Sequence, residues 1–106
     1  MKKSFILVLS TFSSRALAKK IAQSLVKEKL AACVQISSAI QSTYFWKGKI
    51  CSEKEFVLSV KTKATLYKKV EKRILELHSY EVPEIIALPI TQGSGEYLKW
   101  LHSQTL

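Results

Sequence analysis

An alternation that runs too long constrains this chain more than any other feature. From Ala32 to Trp46 the even positions read Ala, Val, Ile, Ser, Ile, Ser, Tyr, Trp, while the odd positions are mostly Gln, Ser and Thr. A period of two is the signature of a β-strand with one buried face. "KGK" (Lys47–Lys49) then supplies a tight turn, with Gly48 free to take positive φ. A return strand is predicted from about Ile50 to Thr62, with Phe56, Leu58 and Val60 on one face and Val57, Ser59 and Lys61 on the other. Extended, Ala32 to Trp46 would reach roughly 50 Å at ~3.3 Å per residue, whereas ordinary strands have about 5–6 residues. A chain of 106 residues is the size of one domain, expected here over 1–106, and cannot pair such a ribbon along its whole length. The ribbon is therefore expected to bend near Ser37-Ser38. Its far end, rich in Tyr44, Phe45 and Trp46, is expected to meet another chain.

The other segments build a frame around this ribbon. Phe5 to Leu9 is an apolar run of strand formers, as expected of a central strand buried on both faces. Ser13 or Ser14 can cap a helix whose Leu17, Ile21 and Leu25 form one stripe. Leu66, Val70, Ile74 and Leu77 mark a second helix, Ile85–Ile90 a fourth strand, and Tyr97, Leu98 and Leu101 a short final helix. Pro89 must lie at an edge or an end, since it has no N–H for a ladder. The order βαββαβ with a trailing helix predicts an α+β, ferredoxin-like sandwich: an antiparallel sheet under two helices, with a long β2–β3 hairpin and an extra C-terminal helix.

Hydrophobic content of 47% is ample for a core. The net charge of +9 points to acidic partners, yet Lys68, Lys69, Lys72 and Arg73 interleave with the apolar stripe of one helix and read as its solvated side. Cys33 and Cys51 lack disulfide or CxxC spacing; Cys33 reads as a reduced thiol packed in the core, which places the chain in a reducing compartment, the cytoplasm. The opening "MKKSFILVLSTFSSRALA" imitates a secretory signal, but its apolar run is short and removing it would delete the most strand-like segment. Nothing approaches the ~20 apolar residues of a membrane span.

No catalytic set assembles. A phosphate loop, HExxH and GxSxG are all missing, and Gly93-Ser94-Gly95 reads as the start of a helix. "YFWKGKI" sets aromatics beside a basic turn without an RNA-recognition motif. His78, Cys33, Cys51 and His102 could all ligate a metal, but none pair at a recognised zinc spacing. On its own terms His78 reads as a helix C-terminal cap favoured by the helix dipole.

Four segments taken together resemble one family. "LAACVQI" (Leu30–Ile36), "YFWKGKI" (Tyr44–Ile50), "ELHSYEVPEIIALPI" (Glu76–Ile90) and "GSGEYLKWL" (Gly93–Leu101) occur in the order found in the CutA-type divalent-cation tolerance proteins. The resemblance implies a homotrimer of ferredoxin-like subunits knit through β2–β3 hairpins, with a non-enzymatic role in tolerance of copper and other divalent metals. It implies Cu(II) binding without any required cofactor, with His78 and Cys33 as the metal ligands. Trp46, Lys61, Tyr80 and Glu84 would line a cleft between subunits. Ser10 and Leu77 stand where some members carry a further cysteine and histidine, and Ser79 replaces the usual proline.

Divalent ions and further copies of the chain are thus the expected partners, with no specific nucleic acid and no membrane. Two rivals follow from the same residues. A PII-like signalling trimer would need a long loop between strands two and three. A basic nucleic-acid module would rest on charge alone.

Overall fold

The structure, a computed structural model, describes residues 4–106; the first three residues of the signal-like opening lie outside it. Eight elements follow one another: β1 (Phe5–Phe12), α1 (Arg15–Lys27), β2 (Cys33–Trp46), β3 (Lys49–Lys63), a 3-10 turn (Ala64–Leu66), α2 (Tyr67–Leu77), β4 (Ile85–Ile90) and α3 (Gly95–Ser103). The sheet order is β2-β3-β1-β4 and every neighbouring pair is antiparallel. This is the ferredoxin-like arrangement predicted from element order. Pro89 sits on β4, an edge strand, where its missing N–H costs no ladder bond.

Helix limits follow local chemistry. Ser14 accepts a hydrogen bond from the Leu17 N–H at 3.2 Å and so caps α1. The helix ends in a Schellman motif: Leu30 N–H reaches the Leu25 carbonyl (2.9 Å) and Lys29 N–H the Val26 carbonyl (3.1 Å). Lys29 occupies the left-handed position at φ 60, where glycine is the usual choice. Ser94 caps α3 through the Tyr97 N–H, as "GSG" implied.

The core lies between the sheet and α1 with α2. Val8 and Phe12 of β1, Leu58 and Val60 of β3, Ile21 and Leu25 of α1, and Val70 and Ile74 of α2 are all fully buried there. β1 is longer than predicted because Ser10 and Thr11, polar yet buried, continue it to Phe12. It is also covered on one face only. The other face meets α3 at one end, where Phe5 and Ala32 pack on Leu101, while Ile86 and Leu88 of β4 stay exposed.

Beyond Phe56 the β2–β3 ribbon has no third strand, because β1 pairs with β3 only between Phe56 and Lys63. It projects as an arm. The molecule measures 47 × 25 × 24 Å, and its radius of gyration of 14.5 Å exceeds the about 13 Å of a compact chain of this length. Phe45 and Ile50, paired across the arm, are 73% and 70% exposed.

The predicted bend at Ser37-Ser38 is a β-bulge. Ile36 pairs with Leu58 and Ala39 with Phe56, so two serines face the single Val57. Ser37 Oγ accepts from the Val57 N–H (2.8 Å) and donates to the Ser38 carbonyl (2.7 Å), while Arg15 donates to the Ser37 carbonyl (3.3 Å). The bulge changes one expectation. The even positions of β2 do not share a face throughout: Val34 and Ile36 pack on the core, whereas Ile40, Ser42, Tyr44 and Trp46 pair with Glu55, Glu53, Cys51 and Lys49 and point away from the helices. One extra residue shifts the alternation by one, so even positions before the bulge and odd positions after it share a face.

Candidate functional site

The face of the arm that points away from the helices, the end of β1 and the segment after α2 enclose a cleft of about 770 Å³. Glu53 and Glu55 come from β3, Glu81 and Glu84 from the junction before β4, and Tyr44, Trp46 and Tyr80 add three rings. Serine and threonine hydroxyls and Val82 complete the lining, and among the described residues no lysine or arginine takes part. Four of the chain's eight acidic residues thus meet in one place on a protein of net charge +9. The Tyr44 phenol registers this field: its pKa is raised, by desolvation first and then by Glu53, Cys51 and Glu55.

At the root of the cleft a short relay fastens the arm to the body. The His78 ring stacks on Phe12, with centroids 4.1 Å apart and planes 15° from parallel. Its Nε2–H donates to the Thr11 carbonyl (2.8 Å), and its Nδ1 accepts the Tyr80 N–H (3.1 Å). A backbone carbonyl can only accept and a backbone N–H only donate, so these partners select the neutral Nε2–H tautomer. The pKa accordingly lies below the usual histidine value: burial lowers it, with the Thr11 carbonyl and Glu55 acting weakly in the opposite sense. His78 does begin the C-terminal cap of α2 through its own N–H. Its side chain, however, reaches across to β1 instead of lending positive charge to the helix end. Tyr80 Oη then donates to Glu55 Oε2 at 2.6 Å, and Glu55 is only 5% exposed. Burial and this bond push the Tyr80 pKa up to about 12.

Of the residues singled out by sequence, Trp46, Tyr80 and Glu84 come together in the cleft. Lys61 does not join them. It lies farther down β3 with its ammonium 5.6 Å from the Tyr97 ring centre. Cys33 pairs with Lys61, and through it lies level with Leu7, four residues along β1 from the Thr11 carbonyl that holds His78. At ~3.3 Å per residue that is about 13 Å, so a single chain does not bring the two proposed ligands together. Cys33 is half-buried on the face away from α1 and α2, not packed in the main core as its strand pattern implied. Among the described residues no three His, Cys or Glu side chains converge closely enough to hold a metal ion. Sequence reasoning missed Glu53 and Glu55, because the alternation of β3 carries no sign of which segment its outer face will meet.

The whole described chain has close counterparts. Residues 6–104 match the family described as "CutA1 divalent ion tolerance protein". This chain belongs to that family. The divalent-cation tolerance protein CutA of Thermus thermophilus is 46% identical over 98 residues, covering 92% of this chain and 95% of its own. The solved structure of the Thermus thermophilus Cut A1 protein superposes with a TM-score of 0.93 at 44% identity, covering 96% of this chain and 99% of that one. The chloroplastic protein CutA of Arabidopsis thaliana is 47% identical over 94% of this chain. This chain spans about half the length of such plant relatives, 55% in that case. No helix among the described residues is long and apolar enough to cross a membrane.

Proposed function

We propose that this chain serves divalent-cation tolerance as a homotrimer, without catalysis, and that its cleft gathers hydrated divalent ions by charge. The observation that carries this reading is the convergence of four glutamates on one cleft of an otherwise basic protein. The tolerance named in its relatives supports the class of ion. Carboxylates too dispersed to chelate a bare ion still concentrate cations that keep their water. Cu(II) would be held most firmly of the common divalent ions wherever one glutamate displaces a single water, because it heads the Irving–Williams order for such direct contacts. His78 is a poor ligand in this state, since both ring nitrogens are already engaged.

The trimer is supported by the arm. A two-stranded ribbon is marginal in water by itself, and burying Phe45 or Ile50 against a neighbour is worth about 1.5–3 kcal/mol each. Two residues, Lys47 and Gly48, join β2 to β3, which leaves no long loop of the kind a PII-like signalling trimer would use. The two half-buried free thiols favour a reducing compartment, and we place the chain in the cytoplasm on that ground.

Calorimetry with Cu(II) on tag-free protein tests the site. Replacing Glu53, Glu81 and Glu84 by glutamine should weaken the ion's affinity at least tenfold, and His78→Ala should leave it within about twofold. A triple glutamine variant with unchanged affinity refutes the cleft. Light scattering after size exclusion tests the assembly; a monomer at micromolar concentration refutes the trimer.

A further inference from the structure

α1 and α2 lie side by side over the sheet and carry most of the chain's positive charge. Residues 15–29 and 64–77 hold nine basic and three acidic side chains, a net +6 out of the chain's +9. Little of it is neutralised locally. Arg73 binds Glu28 at 3.0 Å and Glu76 at 3.7 Å, and Glu71 accepts from the Tyr67 hydroxyl. Lys19, Lys20, Lys27, Lys68, Lys69 and Lys72 are all exposed, and none belongs to an ion pair among the described residues.

Helical geometry collects these lysines on one surface. α1 turns Ala18, Ile21 and Leu25 inward and α2 turns Val70 and Ile74 inward. Lys19 therefore points outward from α1, and Lys68 and Lys72 from α2. Two aliphatic side chains flank the surface at its sides, Leu75 at 52% and Val26 at 45% exposure. The acidic cleft lies on the other side: Glu53 and Glu55 alternate on β3 with Leu58 and Val60, which face the helices. The molecule is electrically two-sided, which gives it one preferred orientation near a broad negative surface.

We propose that the α1–α2 layer is a peripheral docking surface for an anionic lipid membrane. Lysines on two adjacent helices face a spread of headgroup charge, and Leu75 and Val26 touch the interface. The layer carries no exposed aromatic ring on which a base could stack, which disfavours single-stranded nucleic acid as its partner. Docking this way leaves the cleft facing away from the bilayer, so the surface acts independently of ion binding. It departs from the sequence-based expectation of no membrane partner, because only the fold brings the two lysine sets into one layer.

Co-sedimentation of the full chain with vesicles, in metal-free buffer, tests this. Binding is expected to phosphatidylcholine vesicles containing phosphatidylserine, not to phosphatidylcholine alone, and is expected to be released by high salt. The triple variant Lys68→Gln, Lys69→Gln, Lys72→Gln should bind more weakly by on the order of a hundredfold, the worth of three lysines at a charged bilayer. A control that loses the same charge elsewhere, Lys49→Gln, Lys54→Gln, Lys99→Gln, should stay within about threefold of the parent. All six side chains are exposed, and circular dichroism verifies that both variants fold. Failure to bind phosphatidylserine overturns the proposal. So does equal weakening in both triple variants, which would reduce the effect to net charge, or duplex RNA displacing the protein from vesicles at lower phosphate concentration.

Discussion

Mild acid should loosen this protein through His78. The neutral ring gives one proton to the Thr11 carbonyl and takes one from the Tyr80 N–H. Protonating Nδ1 removes the acceptor and sets two N–H groups against each other. Loss of such a bond costs about 0.5–1.5 kcal/mol, and the ring's burial against Phe12 adds to the penalty. The sign follows from the lowered folded-state pKa. The unfolded chain takes up the proton first, near pH 6.5. This stability is therefore complete above that value and is lost as pH falls from 6.5 through the folded pKa. One group can change it by no more than about 1.4 kcal/mol per pH unit. Urea unfolding of the parent and of His78→Gln, at one protein concentration and at pH 7.5, 6.5 and 5.5, isolates the effect from His102 and the glutamates. The variant should be less stable by about 1–3 kcal/mol at pH 7.5, and the gap should narrow toward pH 5.5. A gap that stays constant across the range refutes the locked tautomer.

Three further outcomes are expected. Ser10→Ala should stabilise the fold by about 1 kcal/mol in thermal or urea unfolding, because the buried Ser10 Oγ has no hydrogen-bond partner among the described residues. Tyr80→Phe should destabilise by about 1.5–3 kcal/mol by leaving the Glu55 carboxylate without its donor, and adding Glu55→Gln should recover part of that loss. Lys29→Gly should raise stability by about 1 kcal/mol, since glycine takes the left-handed position without a Cβ clash.

Periodicity alone located every major element of the fold. Val70 and Ile74 form the inner stripe of α2 with Leu66 buried in the turn before it, Ile85–Ile90 is β4 with the predicted limits, and the serine pair that interrupts β2 marks its bend. Such patterns are local, and local patterns survive in a single sequence. The cleft was less legible because its parts are remote. His78 depends on a carbonyl 67 residues away, and Tyr80 on a carboxylate 25 residues away. Cys33 shows the same limit from another side. Alternation reveals that neighbours face opposite ways, but not which way the helices will lie.

The bulge at Ser37-Ser38 works as a crease in a ribbon. Removing one of those serines would leave Tyr44 and Trp46 opposite Cys51 and Lys49, on the same face as before, but would take away the local bend and added twist that aim the arm over the cleft. A single-codon deletion would therefore re-aim the whole arm while leaving every cleft residue in the chain and on its own face, and a comparison that tallies only matched side chains would miss it.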